Sequence, residues 1–149
     1  MKIEEEIHQV KFRNEFHKLA VNIIYTHGWL VGLQQNFFSK HKITGSQYNI
    51  LRILRGQYPE PATVSLLKER MLDKMSDASR LVERLRVKGL VKRENCRIDR
   101  RRVDVVITDK GMKLLAEMDK LDQLNDIFFK NLTPAEAQKL NELLDKARA

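Results

Sequence analysis

The sequence predicts a mainly α-helical fold that carries one small β-hairpin. Apolar residues recur at helical spacing in residues 7–39, in three shorter segments between 44 and 89, and again from 109 onwards. Strand-like alternation of apolar and polar side chains occurs in residues 103–108, and a partner strand is expected at 90–96. The basic residues 97–102 between them are predicted to form the tip of the hairpin.

Composition indicates one globular domain with helical extensions. Hydrophobic residues make up 42% of the chain, which is enough for a real core. The longest apolar runs are far too short to span a membrane, and no signal-peptide pattern opens the chain. The single cysteine, Cys96, excludes an internal disulfide and fits a reducing compartment. We therefore expect a cytoplasmic protein without a membrane partner.

The net charge of +8 is unevenly distributed along the chain. Residues 68–102 contain thirteen Lys/Arg and six Asp/Glu, an excess of +7, whereas residues 1–67 contribute +3 and residues 103–149 contribute −2. A solvated basic face would fit many proteins. A charge this concentrated on one groove-sized element favours a polyanionic partner, with nucleic acid first.

Side chains that can cap a helix N-terminus precede most of the predicted helices: Thr44, Thr63, Ser76, Thr108 and Thr133. The helix after Thr63 is expected to end near Met71. Residues 7–39 are expected to form one long helix or two in succession, and they contain Gly28 and Gly32, which allow either close packing or a kink.

The segment from residue 75 to 110 contains a helix, a strand, a charged turn and a strand, in that order. One face of its helix is apolar and is predicted to pack inward, through Ala78, Leu81, Val82 and Leu85. Gly89 suits the left-handed cap that ends this helix. These are the parts of a winged helix-turn-helix, in which the helix is the recognition helix and the hairpin is the wing.

Two motifs in this segment resemble a known family. The Asp-Arg-Arg sequence at 99–101, followed by Ile-Thr-Asp-Lys-Gly at 107–111, resembles the wing tip and strand closure of the MarR (multiple antibiotic resistance regulator) family. Residues 79–85, followed by Lys-Gly-Leu-Val at 88–91, are similar to that family's recognition helix and first wing strand. The similarity extends over nearly the whole chain.

The resemblance implies a homodimeric, DNA-binding transcriptional regulator, usually a repressor, whose DNA affinity is often tuned by a small molecule or by oxidation. It also implies that residues 1–149 form a single domain. Residues 1–40 and 110–149 would then be the helical dimerisation region, and residues 44–109 the winged helix-turn-helix DNA-binding lobe.

A recognition helix enters the major groove with its N-terminal residues towards the base edges. The candidates for base readout are therefore Ser76, Asp77, Ser79 and Arg80. Arg80 can pair bidentately with guanine or can contact phosphate alone. Asp77 can accept a hydrogen bond from a cytosine amino group, or can act only at the helix N-terminus.

Other contacts are expected with the DNA backbone and the minor groove. The candidates for phosphate contacts are Thr63, Ser65, Arg84 and Lys88. At the wing tip we expect Arg101, helped by Arg100 and Arg102, to enter the narrow minor groove. Asp99 is expected to orient Arg101 by a salt bridge. Plain solvated charge is the alternative for any single arginine of the wing.

The resemblance further implies an effector pocket between the dimerisation region and the lobe. Aromatic residues in the right segments are Phe16, Tyr25, Trp29 and Tyr48, and core packing explains them equally well. A small aromatic or amphipathic effector is expected.

Cysteine and histidine usage favours neither redox nor metal chemistry. Arg93 and Arg97 could activate the Cys96 thiol, but an incidental strand cysteine is the stronger reading. The four histidines lack the i, i+3 or i, i+4 spacing of a helical metal site, and no Cys/His cluster supports zinc. We find no phosphate loop, nucleophile elbow or paired acid and base, and so expect no cofactor and no enzyme.

We therefore expect a sequence-specific repressor that binds a pseudo-palindromic operator as a homodimer and is released by an effector. A small-molecule-sensing protein of the same fold, with weak or non-specific DNA binding, is the alternative. A non-specific architectural protein is a weaker third reading, because a purely electrostatic binder gains nothing from Asp77 and Glu83 in its basic segment.

Overall fold

The computed structural model describes residues 1–96 and 98–149. Its elements in chain order are α1 (Ile3–Glu6), α2 (Glu15–Lys40), α3 (Gly45–Gln57), β1 (Ala62–Thr63), α4 (Val64–Arg70), α5 (Ala78–Val87), β2 (Val91–Asn95), β3 (Val103–Ile107), α6 (Asp109–Met118), α7 (Lys120–Phe128) and α8 (Pro134–Arg148). The predicted fold class, mainly α with a small β-hairpin wing, is confirmed.

The sheet is antiparallel and has the strand order β1-β3-β2. Strands β2 and β3 form the predicted wing hairpin, with Val91 opposite Ile107 and Asn95 opposite Val103. Strand β1 was not predicted, since two residues are too short to show a period. Its Ala62 pairs with Val105 and thereby ties the start of α4 to the base of the wing.

Side chains cap the N-termini of the helices at the expected residues, with one exception. Thr44, Thr63, Thr108 and Thr133 each accept a backbone N–H of the first helical turn. The prediction that Ser76 caps α5 is wrong by one residue. The hydroxyl of Ser76 donates to Asp73 Oδ2 at 2.8 Å, and Asp77 instead accepts the N–H of Arg80 at 3.1 Å. Aspartate caps a helix as well as serine does, so the helix begins one residue later.

The core lies where α3, α4, α5, the sheet and α6 meet. Its fully buried side chains include Ile50, Leu51, Leu54, Leu67, Met71, Val82, Leu85, Val105, Leu115 and Met118. The inward face predicted for α5 is confirmed for Ala78, Val82 and Leu85, while Leu81 is half-buried. This packing holds α5 with its opposite face towards solvent.

Helices α2 and α8, outside this core, leave many apolar side chains exposed. Helix α8 has no buried residue over its fifteen positions, and α2 buries only Phe38. Helix α2 runs unbroken through Gly28 and Gly32, and a Cβ at either position would meet no atom within 4 Å. No helix of the described residues is both long and apolar enough to cross a membrane.

Two glycines shape the junction between the wing and α6. Gly89 has φ +73°, the left-handed conformation predicted for the end of α5. At Gly111 a Cβ would lie 2.4 Å from the carbonyl oxygen of Leu90 and 2.7 Å from Cγ1 of Ile107. Only glycine lets the first turn of α6 approach the strands this closely.

Candidate nucleic-acid interface

The outer face of α5 carries exposed arginines that have no anionic partner among the described residues. Arg80 and Arg84 are one turn apart, opposite the buried Val82 and Leu85. Neither forms an ion pair with another described residue. Their guanidinium groups are therefore available to an anionic partner.

A carboxylate on the same helix pairs with two other arginines. Glu83 accepts two hydrogen bonds from Arg86, at 3.0 and 2.7 Å, and lies 3.5 Å from Arg93 on β2. The Arg86 guanidinium holds the pKa of Glu83 below its usual range. This cluster links the recognition helix to the first wing strand. The i, i+3 spacing of Glu83 and Arg86 could have predicted the first pair, but the contact with Arg93 depends on the fold.

The turn that precedes α5 is closed by Asp73. Its carboxylate accepts the N–H of Met75 at 2.9 Å and the hydroxyl of Ser76 at 2.8 Å, and Ser46 Oγ lies 3.3 Å from Ser76 Oγ. The hydroxyl of Ser76 is thus engaged inside the protein. These hydrogen bonds, that of Ser76 first, lower the pKa of Asp73.

The remaining candidates for base readout lie at the exposed start of α5. Ser79 and Arg80 are exposed, and so is Asp77. Of the two roles considered for Asp77, helix capping is present in the structure, and its second carboxylate oxygen makes no hydrogen bond to the described residues. A contact between Asp77 and cytosine stays a prediction.

The candidates for phosphate contacts differ in orientation. The Thr63 hydroxyl accepts the N–H of Leu66 at 3.1 Å and keeps its own proton to donate, and Ser65 is exposed in the first turn of α4. The ammonium of Lys88 donates to the backbone carbonyl of Lys42, in the α2–α3 loop. Lys88 is therefore engaged elsewhere, and Thr63, Ser65 and Arg84 are the better placed candidates.

At the wing tip, Arg100 and Arg101 are exposed. The expected salt bridge between Asp99 and Arg101 is wrong. Asp99 Oδ1 instead accepts the backbone N–H of Arg101 at 2.9 Å, because an aspartate two residues before an N–H readily closes a turn. The third arginine, Arg102, donates its Nε–H to the buried Asp104 at 2.9 Å. Arg102 is thus held at the strand, while Arg100 and Arg101 project from the turn.

No family model matches the chain, and no curated protein matches it in sequence. Solved structures do match it. A variant of MarR from E. coli complexed with operator DNA is 27% identical, with a TM-score of 0.79, over 93% of this chain and 99% of that one. A MarR-like transcription regulator from Bacillus cereus has a TM-score of 0.80 and 21% identity, over 90% and 96% of the two chains. BpsR from Bordetella bronchiseptica, whose DNA binding is regulated by 6-hydroxynicotinic acid, has a TM-score of 0.75 and 24% identity over 89% and 99%.

The chain has the MarR fold. The resemblance predicted from the wing and recognition-helix motifs is confirmed, and it extends over most of the chain. In this fold α5 occupies the position of the recognition helix, and the β2–β3 hairpin that of the wing.

The four aromatic residues considered for an effector pocket lie in different surroundings, and their part in such a pocket stays a prediction. Phe16 is exposed, and the Tyr25 hydroxyl donates to Glu6 at 2.8 Å. Trp29 meets the ring of Phe129 edge-on at 5.8 Å between centroids. Tyr48 is buried beside Phe38 in the core.

A cavity of about 440 Å³ lies elsewhere, where the α2–α3 loop meets the end of α5 and the start of α6. Its wall carries four lysines and a carboxylate, with apolar residues among them: Lys42, Lys88, Lys110, Lys113, Glu117 and Leu114. Lys110 Nζ also donates to the carbonyl of Lys88 at 2.8 Å, so the cavity adjoins the C-terminal end of the recognition helix. The sequence contains no local motif for it, because its lysines come from three separate segments.

The structure bears on two further points, the surroundings of Cys96 and the presence of a metal site. Cys96 is half-buried at the end of β2, where its N–H donates to the carbonyl of Arg102 at 3.2 Å. Arg97 lies outside the described residues, so its relation to this thiol stays a prediction. No group of three or more His, Cys, Asp or Glu in residues 1–96 and 98–149 could hold a metal ion.

Proposed function

We propose that the protein is a sequence-specific DNA-binding transcriptional regulator that represses genes by binding a pseudo-palindromic operator as a homodimer. The observation that carries this proposal is a set of exposed arginines on α5 and at the wing tip that form no ion pair with the described residues. Glu83, through Arg86 and Arg93, ties α5 to the first wing strand. A basic helix and a basic hairpin held side by side suit a major groove and the adjacent minor groove.

Roles follow from the orientation of each side chain. Arg80, with Ser79 and Asp77, would read base edges, and Thr63, Ser65 and Arg84 would contact phosphates. Arg101, helped by Arg100, would enter the minor groove. Ser76 and Arg102 have smaller roles in this proposal, because Asp73 and Asp104 already hold their polar groups.

The exposed apolar side chains of α2 and α8 support the homodimer. In α8, Leu140 and Leu143 are exposed although they lie on one apolar face, and Phe16 and Ile24 of α2 are also exposed. A second copy that covered these residues would bury their apolar surface. That burial would stabilise the dimer by about 25 cal/mol per Å² of apolar surface. We infer that residues 1–40 and 110–149 form the dimerisation region. Two recognition helices would then enter major grooves roughly 34 Å apart.

In vitro selection of duplex DNA by the purified protein tests this proposal. We expect an enriched motif with two-fold symmetry, bound at least about 100-fold more tightly at near-physiological salt than a scrambled duplex of equal composition. Light scattering should give the mass of two chains. Equal affinity for both duplexes would contradict a sequence-specific regulator and would support the architectural reading. A reporter gene placed behind the selected site should be repressed by the protein.

The lysine-lined cavity supports a second function, the sensing of a small amphipathic acid. Its volume lies in the range of ligand pockets. Lys88 and Lys110 already donate to backbone carbonyls, whereas the ammonium groups of Lys42 and Lys113 make no hydrogen bond to the described residues and, beside apolar residues, suit a carboxylate on an apolar body. We propose that such an acid binds there and weakens DNA binding through the end of α5. The alternative is a sensor with weak or non-specific DNA binding.

A thermal-shift screen of small aromatic acids, followed by DNA release, separates these two readings. Stabilisation that is lost in Lys113→Ala, together with release of the selected DNA, supports a regulator that responds to an effector. Stabilisation without any selected DNA sequence supports the sensor. The matched control is Lys130→Ala, which removes the same charge from the α7–α8 connection.

A further inference from the structure

The turn between α4 and α5 presents two large apolar side chains to solvent. Leu72 is 87% exposed and Met75 is 93% exposed. Single exposed apolar residues are common and need no explanation. Here two of them lie within four residues, immediately before the N-terminus of the recognition helix.

The backbone of this turn is fixed although these side chains have little protein contact. The N–H of Leu72 donates to Asn49 Oδ1 at 2.9 Å, and the preceding Met71 is buried. Asp73 then holds the N–H of Met75 and the hydroxyl of Ser76. Met75 is therefore displayed from a rigid turn, two residues before the cap of α5.

The chemical surroundings of Met75 point to DNA as its partner. Lys74 precedes it, and the exposed Arg70 and Arg80 lie on the helices at either side of the turn. The two nearby carboxylates, Asp73 and Asp77, accept hydrogen bonds of the turn and of the helix cap. A protein partner for an apolar patch would be expected to meet fewer cations, since interface cores are depleted of charge. The apolar group that DNA exposes on base edges in the major groove is the 5-methyl of thymine.

We propose that Met75 reads the 5-methyl group of a thymine in each half-site. This inference rests on the proposed function, because it requires the N-terminus of α5 to enter the major groove. A thioether on a flexible chain adapts to the position of a methyl group, and the contact removes apolar surface of both partners from water. Met75 adds an apolar contact to the polar readout by Arg80.

Replacing thymine by uracil tests the proposal, because uracil lacks only the 5-methyl group. In the selected operator, each thymine is replaced in turn, symmetrically in both half-sites, and affinity is measured by fluorescence anisotropy. For the wild type we expect one position at which uracil weakens binding about fourfold per half-site, or roughly fifteenfold in all, the effect of one buried methyl in each half-site.

The variant Met75→Ala should bind the thymine and uracil operators equally, because it has no thioether to contact the methyl group. Leu72→Ala is the matched control, since it removes a similarly exposed apolar side chain from the same turn, and it should keep the wild-type ratio. Met75→Leu should retain a preference for thymine. Thermal melting of each variant checks that the fold is unchanged.

Three results would overturn the inference: a thymine-to-uracil ratio that survives in Met75→Ala, a ratio lost in Leu72→Ala instead, or no position sensitive to uracil in the wild type. Failure of the proposed function would give a different result, because the wild type would then select no DNA sequence at all. If an operator is selected but shows no effect of the thymine methyl group, only the role of Met75 is removed.

Discussion

The guanidinium of Arg55 binds the carboxylate of Asp119 through two parallel hydrogen bonds, of 3.1 Å to Oδ2 and 2.8 Å to Oδ1. Arg55 lies on α3, whose side chains form much of the core, and Asp119 lies at the break between α6 and α7. One turn away, Arg52 lies 3.6 Å from Asp122 on α7. A bidentate pair is directional, and here it joins α3 to the point where α7 begins.

The Arg55–Asp119 pair predicts a pH-dependent contribution to stability. The Arg55 guanidinium lowers the pKa of Asp119, so the carboxylate stabilises the folded state above the ordinary carboxyl pKa of about 3.9. That contribution is lost as the pH falls through the lowered value. Asp119→Asn should therefore cost about 0.5–1 kcal/mol at pH 7 and progressively less below about pH 4. Urea unfolding at both pH values measures the difference.

Asp122→Asn is the control for this measurement, because its partner is more distant, and we expect a smaller loss at pH 7. A difference between the wild type and Asp119→Asn that stays constant down to pH 3 would contradict the assigned role of the ion pair.

The close approach at Gly111 predicts a large effect of a single methyl group. Gly111→Ala places a Cβ 2.4 Å from a backbone oxygen, which cannot move without shifting β2, so unfolding should become easier by about 2–3 kcal/mol. Gly56→Ala on α3 is the matched control. Its Cβ meets nothing within 4 Å, and alanine favours the helix, so we expect a gain of up to about 1 kcal/mol. Equal melting temperatures for the two variants would show that the junction between the wing and α6 can accommodate the added methyl group without loss of stability.

The wing arginines should differ in their effects on DNA binding. Arg101→Ala is expected to weaken binding about tenfold for all operator variants and to reduce the salt dependence by about one ion, because an arginine in the minor groove is lost. Arg102→Ala should have a smaller effect, since Asp104 holds that side chain. Arg148→Ala, which removes a charge from α8, should leave affinity unchanged. If Arg102→Ala weakened DNA binding more than Arg101→Ala, the roles assigned to the two arginines would be reversed.

Asp77 offers a test that separates capping from base readout. Asp77→Ala should cost about 1 kcal/mol of stability, because the N–H of Arg80 loses its acceptor, whereas Asp77→Asn should keep the cap. If Asp77 only caps α5, the asparagine variant selects the same operator as the wild type. Selection of adenine in place of cytosine at one position would instead show base readout, since asparagine pairs with adenine.

Periodicity and capping motifs were sufficient to predict most of the fold. The caps at Thr44 and Thr133 involve residues three apart, so the sequence contains both partners. The start of α5 was misplaced because Ser76 has a competing acceptor in Asp73, and local patterns do not rank two adjacent caps. Strand β1 was missed because its pairing with β3 is visible only after the chain has folded.

The candidate site was less predictable than the fold. The exposed arginines of α5 follow from helix geometry, since the opposite face is apolar. The orientation of Lys88 depends on Lys42, 46 residues earlier in the chain. That of Arg102 depends on Asp104, whose burial departs from the alternation of the strand. The Lys88 contact and the burial of Asp104 depend on tertiary packing, which no spacing in the sequence predicts.

Helix α8 buries none of its residues within one chain, and this links the stability of the protein to its abundance. In the proposed homodimer, a second copy supplies the contacts that α8 lacks within one chain. The melting temperature should therefore rise with protein concentration. At low copy number the chains would be apart and less stable, and they would occupy the operator weakly. The cell could then set repression through the rate at which it makes the protein, before any effector binds.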